Sequence, residues 1–234
     1  MRLPVADIFV KEREEIDSSI AYDWEAYYGE QFWISRRAWF KKPLACLRSP
    51  FKRTIWIDLD CEVLGSLRGL FDTCQNPSGI ALAKDQIAQS YTESDSRIGR
   101  WQGGALNLSQ AQPMPKQLNL KGWAIQAGLK LSGRPTQPEP ILKSRAVYNS
   151  GVIVFQRNLK LIKDWADQSF EKNDAFRGDQ DLLSKIIADQ NLSLCELPSI
   201  YNWNVGFGEN SSAIICHWLG DIGKAALQAK LTSR

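Results

Sequence analysis

Three short runs of β-forming residues, TIWIDLD (54–60), GIALAK (79–84) and SGVIVFQ (150–156), are set among segments of helical period, and that alternation limits the chain to few architectures. Each run is apolar and rich in branched residues, as a strand covered on both faces must be. LPVADIFV (3–10) reads as an earlier strand, and LSLCELP (192–198) and SAIICHW (212–218) as two later ones. Between them, Pro43 suits the first turn of a helix over PLACLRS. Leu159, Ile162, Trp165 and Phe170 mark one helical face, and Leu182, Leu183, Ile186 and Ile187 a cleaner one. The alternation predicts an α/β fold with a mostly parallel central sheet.

Residues 86–146 break this pattern. They hold a Gly-Gly pair, several prolines and many Gln and Ser, with no sustained period. Such a stretch inside a compact domain is functional or variable. The expected organisation is one domain over 1–234 with 86–146 as an insertion. With 234 residues and 44% hydrophobic composition, the chain can bury a full core without disulfides or a structural metal.

Composition removes several function classes. A net charge of +3 argues against coating nucleic acid, and no apolar run approaches a membrane span. The five cysteines (46, 61, 74, 195 and 216) show no CxxC spacing, and the chain has one His, which argues against a zinc site or a disulfide framework. MRLPVADIFVKEREE lacks the form of a signal peptide. A reducing cytoplasm is the expected compartment.

Asp58 and Asp60 follow Ile55-Trp56-Ile57. On an extended strand residues two apart face the same side, and the carboxyl end of such a strand is where open α/β sheets bind ligands. Two adjacent carboxylates need a cation or a proton between them. Oxygen ligands suit Mg²⁺ or Mn²⁺, which in turn grip phosphates. Glu62 extends the cluster if the strand persists. Alone, Asp-x-Asp is equally a strand ending in solvated acids. Phosphatases of the haloacid-dehalogenase type also carry it, but follow it with Gly-Thr where this chain has Cys61-Glu62.

Four ordered pieces carry a larger resemblance: TIWIDLDCEVLGSLRGLFD (54–72), YNSGVIVFQRN (148–158), GDQDLLSKII (178–187) and ICHWLGDIGK (215–224). Together they resemble glycosyltransferase family 8, retaining enzymes of GT-A fold that include glycogenin and lipopolysaccharide galactosyltransferases. The resemblance implies a Rossmann-like nucleotide-diphospho-sugar transferase fold that moves a hexose from a UDP-sugar to an acceptor hydroxyl. The acceptor would be a saccharide or lipid-linked glycan, with peripheral membrane contact in the latter case. The family opens with a β-α unit that forms much of the base pocket. Only LPVADIFV precedes the helical segment here, so that unit is expected to be missing. The alternative from a second class is a GT-A protein that binds nucleotide-sugar or glycan without turnover.

By resemblance, Asp60 and His217 bind Mn²⁺ (or Mg²⁺), and Asp58 binds the cation or the donor ribose. The bland reading of His217 is a core histidine beside Trp218. Gly220 and Lys224 serve the diphosphate, although Lys224 lies one residue further from His217 than in the family and is equally a solvated helix residue. Lys42, or Lys41 in a shifted alignment, touches the donor and the acidic cluster. Asn149, Ser150 and Gly151 precede a strand and contact the transferred sugar, Gly151 by letting the backbone approach. Asp179 caps a helix or binds sugar hydroxyls, Gln180 faces the anomeric carbon, and Asp85 is a further sugar contact. Trp101 and Trp123, in the insertion, are candidate stacking platforms for an acceptor ring.

Overall fold

The computed structural model describes residues 10–28, 32–86 and 147–232. The expected strand at 3–10, apart from Val10, and residues 87–146 with Trp101 and Trp123 lie outside the described residues. The strands are β1 (Arg53–Ile57), β2 (Cys61–Val63), β3 (Ile80–Lys84), β4 (Tyr148–Gln156), β5 (Cys195–Glu196), β6 (Trp203–Asn204) and β7 (Ile215–His217). The helices are α1 (Ser18–Tyr28), α2 (Phe32–Trp39), α3 (Lys42–Leu47), α4 (Leu70–Thr73), α5 (Lys160–Glu171), α6 (Asp179–Asp189) and α7 (Gly220–Thr232). One sheet has the order β1-β4-β3-β5 and a second, smaller one the order β2-β7-β6.

The expected α/β class holds, but the sheet is mixed rather than mostly parallel. β4 runs antiparallel to both β1 and β3, while β3–β5 is parallel. The reason is local: Lys84, the last residue of β3, pairs with Tyr148, the first of β4. The chain therefore leaves and re-enters the sheet at one end, as a hairpin with a very long connection. Alternating β and helical signals do not distinguish this from a crossover.

β4 is the central strand and is covered on both faces, which accounts for its unbroken apolar run. Ile153 and Phe155 face Leu161, Ile162 and Trp165 of α5 and Leu182, Leu183, Ile186 and Ile187 of α6. Val152 and Val154 face the opposite cluster with Leu70, Leu197 and Ile215. Phe170 does not join the α5 face and is exposed. The buried positions are Leu161, Ile162, Trp165, Ala166 and Ser169, and a residue five beyond Trp165 is rotated away at 3.6 residues per turn. α3 starts as Pro43 predicts, with the proline in its first turn.

The aromatic-rich segment before residue 40 forms α1 and α2. Its buried Ile16, Ala21, Trp24 and Phe32 form one cluster, and the Arg36 guanidinium lies over Trp24, Trp33 and Phe40. Arg36 donates to the carbonyls of Lys11, Asn173 and Phe176, joining this segment to the stretch between α5 and α6. Burial lowers its pKa to about 10. Among the described residues, no helix is long and apolar enough to cross a membrane.

Candidate functional site

β1 ends at Ile57, and Asp58, Leu59 and Asp60 form a turn closed by Cys61 N donating to the Asp58 carbonyl at 3.1 Å. The two acids therefore do not face one side of an extended strand as the spacing suggests. Leu59 is fully exposed, while its neighbours turn inward to different partners. Glu62 leaves the group and pairs with Lys230 at 2.7 Å.

Asp58 points into a buried polar cluster. Its Oδ2 accepts from Lys42 Nζ at 2.8 Å and its Oδ1 from the Trp56 indole at 2.7 Å. Lys42 also lies 3.3 Å from Asp179 Oδ2 and donates to Ser150 Oγ at 3.1 Å. Burial disfavours the Lys42 ammonium, but Asp179 and Asp58 outweigh it and hold its pKa above the ordinary lysine range. Burial, with Asp58 nearby, raises that of Asp179 despite Lys42. Gly178, not Asp179, occupies the cap of α6; Asp179 is its first residue and turns inward, accepting from Ser150 Oγ at 3.0 Å.

Asp60 points to β7. Its Oδ1 is 3.2 Å from His217 Nε2, and its Oδ2 is 3.8 Å from Lys224 Nζ on the first turns of α7. Burial opposes its charge, yet His217 and Lys224 prevail and its carboxyl is held below the usual range. His217 is held from behind: its Nδ1 is 2.8 Å from Asn202 Oδ1, Asn202 Nδ2 donates to Asn149 Oδ1 at 2.9 Å, and Gly151 N donates to that same oxygen at 2.8 Å. Asn149 and Ser150 lie inside β4 rather than before it. Gly151 answers a need that the sequence does not show. A Cβ there would overlap the His217 ring, so the glycine makes room for the imidazole. Gly220 adopts φ +72°, a left-handed conformation that suits glycine at the mouth of α7.

On the other side of Ser150, Gln180 Oε1 accepts from Ser150 N at 3.3 Å and its Nε2 donates to buried Asp85 at 2.6 Å. Gln86 accepts from Asn204 N at 2.6 Å. Thus Lys42, Asp58, Asp60, Asp85, Asn149, Ser150, Gly151, Asp179, Gln180, His217 and Lys224 gather at one end of the sheets from six separate stretches of chain. Lys41 does not take the place of Lys42. Trp56, Asn202 and Gln86 were not singled out in the sequence; each sits in a short irregular or strand-end stretch without a spacing signal.

Asp60, Cys61 and His217 offer ligand atoms within 4.8 Å of one another. Asp60 and His217 provide one hard and one borderline donor converging on a common point, which fits Mn²⁺ and, less well, Mg²⁺. Cys61 does not extend that set readily. Burial and the nearby Asp58 and Asp60 push its thiol up, away from thiolate.

No protein-family model and no curated protein matches the chain. Among solved structures it is similar to mouse xyloside xylosyltransferase 1 in the apo form, at 16% identity and TM-score 0.43, over 85% of this chain and 69% of that one. It is also similar to the galactosyltransferase LgtC in complex with donor and acceptor sugar analogues, at 14% identity and TM-score 0.45, over 84% and 66%.

Proposed function

We propose that the chain is a metal-dependent retaining glycosyltransferase of GT-A type, moving a hexose from a UDP-sugar to a hydroxyl of a saccharide or lipid-linked acceptor. One observation carries this reading: Asp60, His217 and Lys224 converge beside the buried Lys42–Asp58–Asp179–Ser150 cluster. Sequence-distant groups able to hold a cation, a diphosphate and sugar hydroxyls meet in two adjoining clusters.

Asp60 and His217 are the cation ligands in this reading, and Asp58 belongs to the outer shell, its oxygens engaged by Lys42 and Trp56. A cation held there supplies charge neutralisation for a departing diphosphate. Lys224, half exposed, adds an ammonium on the same side. Asp179, Asn149 and Ser150 orient sugar hydroxyls, with Lys42 keeping the acids fixed. Gln180 faces the donor sugar in this reading, braced by Asp85 and Ser150 N. A carboxamide is a poor nucleophile, and Asp179 is tied to Lys42 and Ser150. That supports front-face attack by the acceptor hydroxyl on the leaving-group side.

Calorimetry of UDP with Mn²⁺ and with EDTA tests the reading. Affinity is expected only with the metal, and equal affinity in EDTA overturns the role given to Asp60 and His217. Metal-dependent UDP binding without hydrolysis of any UDP-hexose would instead mark a binding protein of the same fold.

A further inference from the structure

We infer that Asn202 is a positioning residue that fixes the proton of the His217 ring on Nδ1, so that Nε2 is the nitrogen presented beside Asp60. The inference rests on the reading of Asp60 and His217 as a cation site, and adds to it a residue outside the ligands themselves.

Amide orientation and imidazole tautomer are ordinarily assigned rather than observed. Here the backbone settles both. A peptide N–H can only donate, so the Asn149 atom 2.8 Å from Gly151 N is the carbonyl oxygen. The Asn202 atom 2.9 Å from that oxygen must then be a donor, its NH₂ group. Asn202 therefore turns its own oxygen to His217 Nδ1, at 2.8 Å, and Nδ1 must carry a hydrogen. The opposite neutral tautomer would set two lone pairs face to face at Nδ1. Asn149, Asn202 and His217 are 6%, 4% and 2% exposed, which leaves little access for water to relieve that contact. Nε2, by contrast, 3.2 Å from Asp60 Oδ1, has a place beside it that a cation or a second proton fills.

The relay is held in place by main chain at each station. Asn202 N donates to Ser199 O at 2.9 Å, and the next two residues, in β6, pair with Cys216 and His217 of β7. A neutral amide orients the ring without adding negative charge beside Asp58 and Asp60. Groups behind metal-ligating histidines commonly fix the tautomer in this way, and their loss costs metal affinity.

The sequence contains one His, so ring ¹⁵N signals of untagged, ¹⁵N-histidine-labelled protein arise from His217 alone. The expected spectrum shows protonated Nδ1 before and after addition of Zn²⁺, a diamagnetic probe, with the change on binding confined to Nε2. A neutral ring protonated on Nε2, or a mixture of tautomers, overturns the inference without any variant. Asn202→Leu is expected to bind Mn²⁺ about 10- to 100-fold more weakly by calorimetry and to mix tautomers. Asn202→Asp keeps an acceptor for Nδ1–H but turns its second oxygen to Asn149 Oδ1, so it should restore the Nδ1-protonated ring and part of the affinity. Wild-type affinity and ring state in Asn202→Leu would overturn the inference, as would equal loss in both variants with an intact fold. Should Asn202→Leu not fold, the wild-type spectrum and the Asn202→Asp titration decide. Wild-type protein that binds no Mn²⁺ while its ring is protonated on Nδ1 overturns the cation site instead, and leaves the amide relay standing.

Discussion

Replacing Gly151 by alanine adds one methyl group where the His217 ring lies. The new Cβ would overlap Cε1 and stand 2.5 Å from Nδ1 and 2.9 Å from Asn149 Oδ1. Carbon contacts settle near ~3.5 Å, so the imidazole must retreat by roughly 1 Å or more. That retreat strains or breaks both the Asn202 contact at 2.8 Å and the approach to Asp60 at 3.2 Å. Overpacking costs about 1–3 kcal/mol and an orphaned buried polar group about 1–3 kcal/mol. Gly151 is not among the positive-φ glycines, so alanine should gain about 0.5 kcal/mol through the unfolded chain. The net expectation is a destabilisation of about 3 kcal/mol in urea unfolding. The same substitution in a His217→Ala background removes the ring and leaves only the Asn149 contact, so its cost should fall to about 1 kcal/mol or less. Equal cost in the two backgrounds would mean that Gly151 is not there to seat the imidazole.

Two further perturbations address the two halves of the site. Lys42→Met leaves buried Asp179 and partly buried Asp58 without their shared cation, and should destabilise the protein by about 3–5 kcal/mol in denaturant titration; a loss below about 1 kcal/mol would show that the acids do not depend on it. Asp60→Asn should abolish Mn²⁺-dependent UDP binding and donor hydrolysis while leaving the far-ultraviolet circular dichroism unchanged. The same variant carries a pH signature. Asp60 has a lowered carboxyl pKa, so the stability it contributes is present above the unfolded value of about 3.9 and lost as pH falls through the folded one. The acid limb of the stability curve should be shallower in Asp60→Asn, and superimposable curves would show that its pairing with His217 and Lys224 contributes nothing.

What could be read in advance divides along physical lines. The strand cores and the α6 face were legible because burial imposes a period on the residues that supply it. The Asp-x-Asp, Asn-Ser-Gly, Asp-Gln and His…Lys pieces were legible as an ordered set, and the structure gathers them. The meaning of Gly151 was not. A missing side chain shows that something lies close, and only coordinates tell that His217 is one such neighbour. Nor was the divergence of Asp58 and Asp60, because the strand stops at Ile57, short of the run that extends to Asp60, and the turn aims each acid separately. Asn202 leaves no trace in pattern: it follows a short 3-10 turn, where neither period 2 nor period 3.6 applies. The antiparallel β3–β4 pairing was hidden because the two strands that pair lie far apart in sequence.

That hairpin has a bearing on how such a protein diversifies. Lys84 and Tyr148 are held opposite each other by the sheet, so the two attachment points of everything between Gln86 and Val147 are fixed whatever that connection contains. Doubling the length of a closed loop costs only about 0.6 kcal/mol in chain entropy. Material can therefore be lengthened, shortened or exchanged there with little effect on the register of β4 against β1. The groups assigned to the diphosphate, on the turn after β1 and on β7 and α7, are anchored elsewhere. The connection is thus free to vary in sequence while the groups proposed for the diphosphate stay tied to the core.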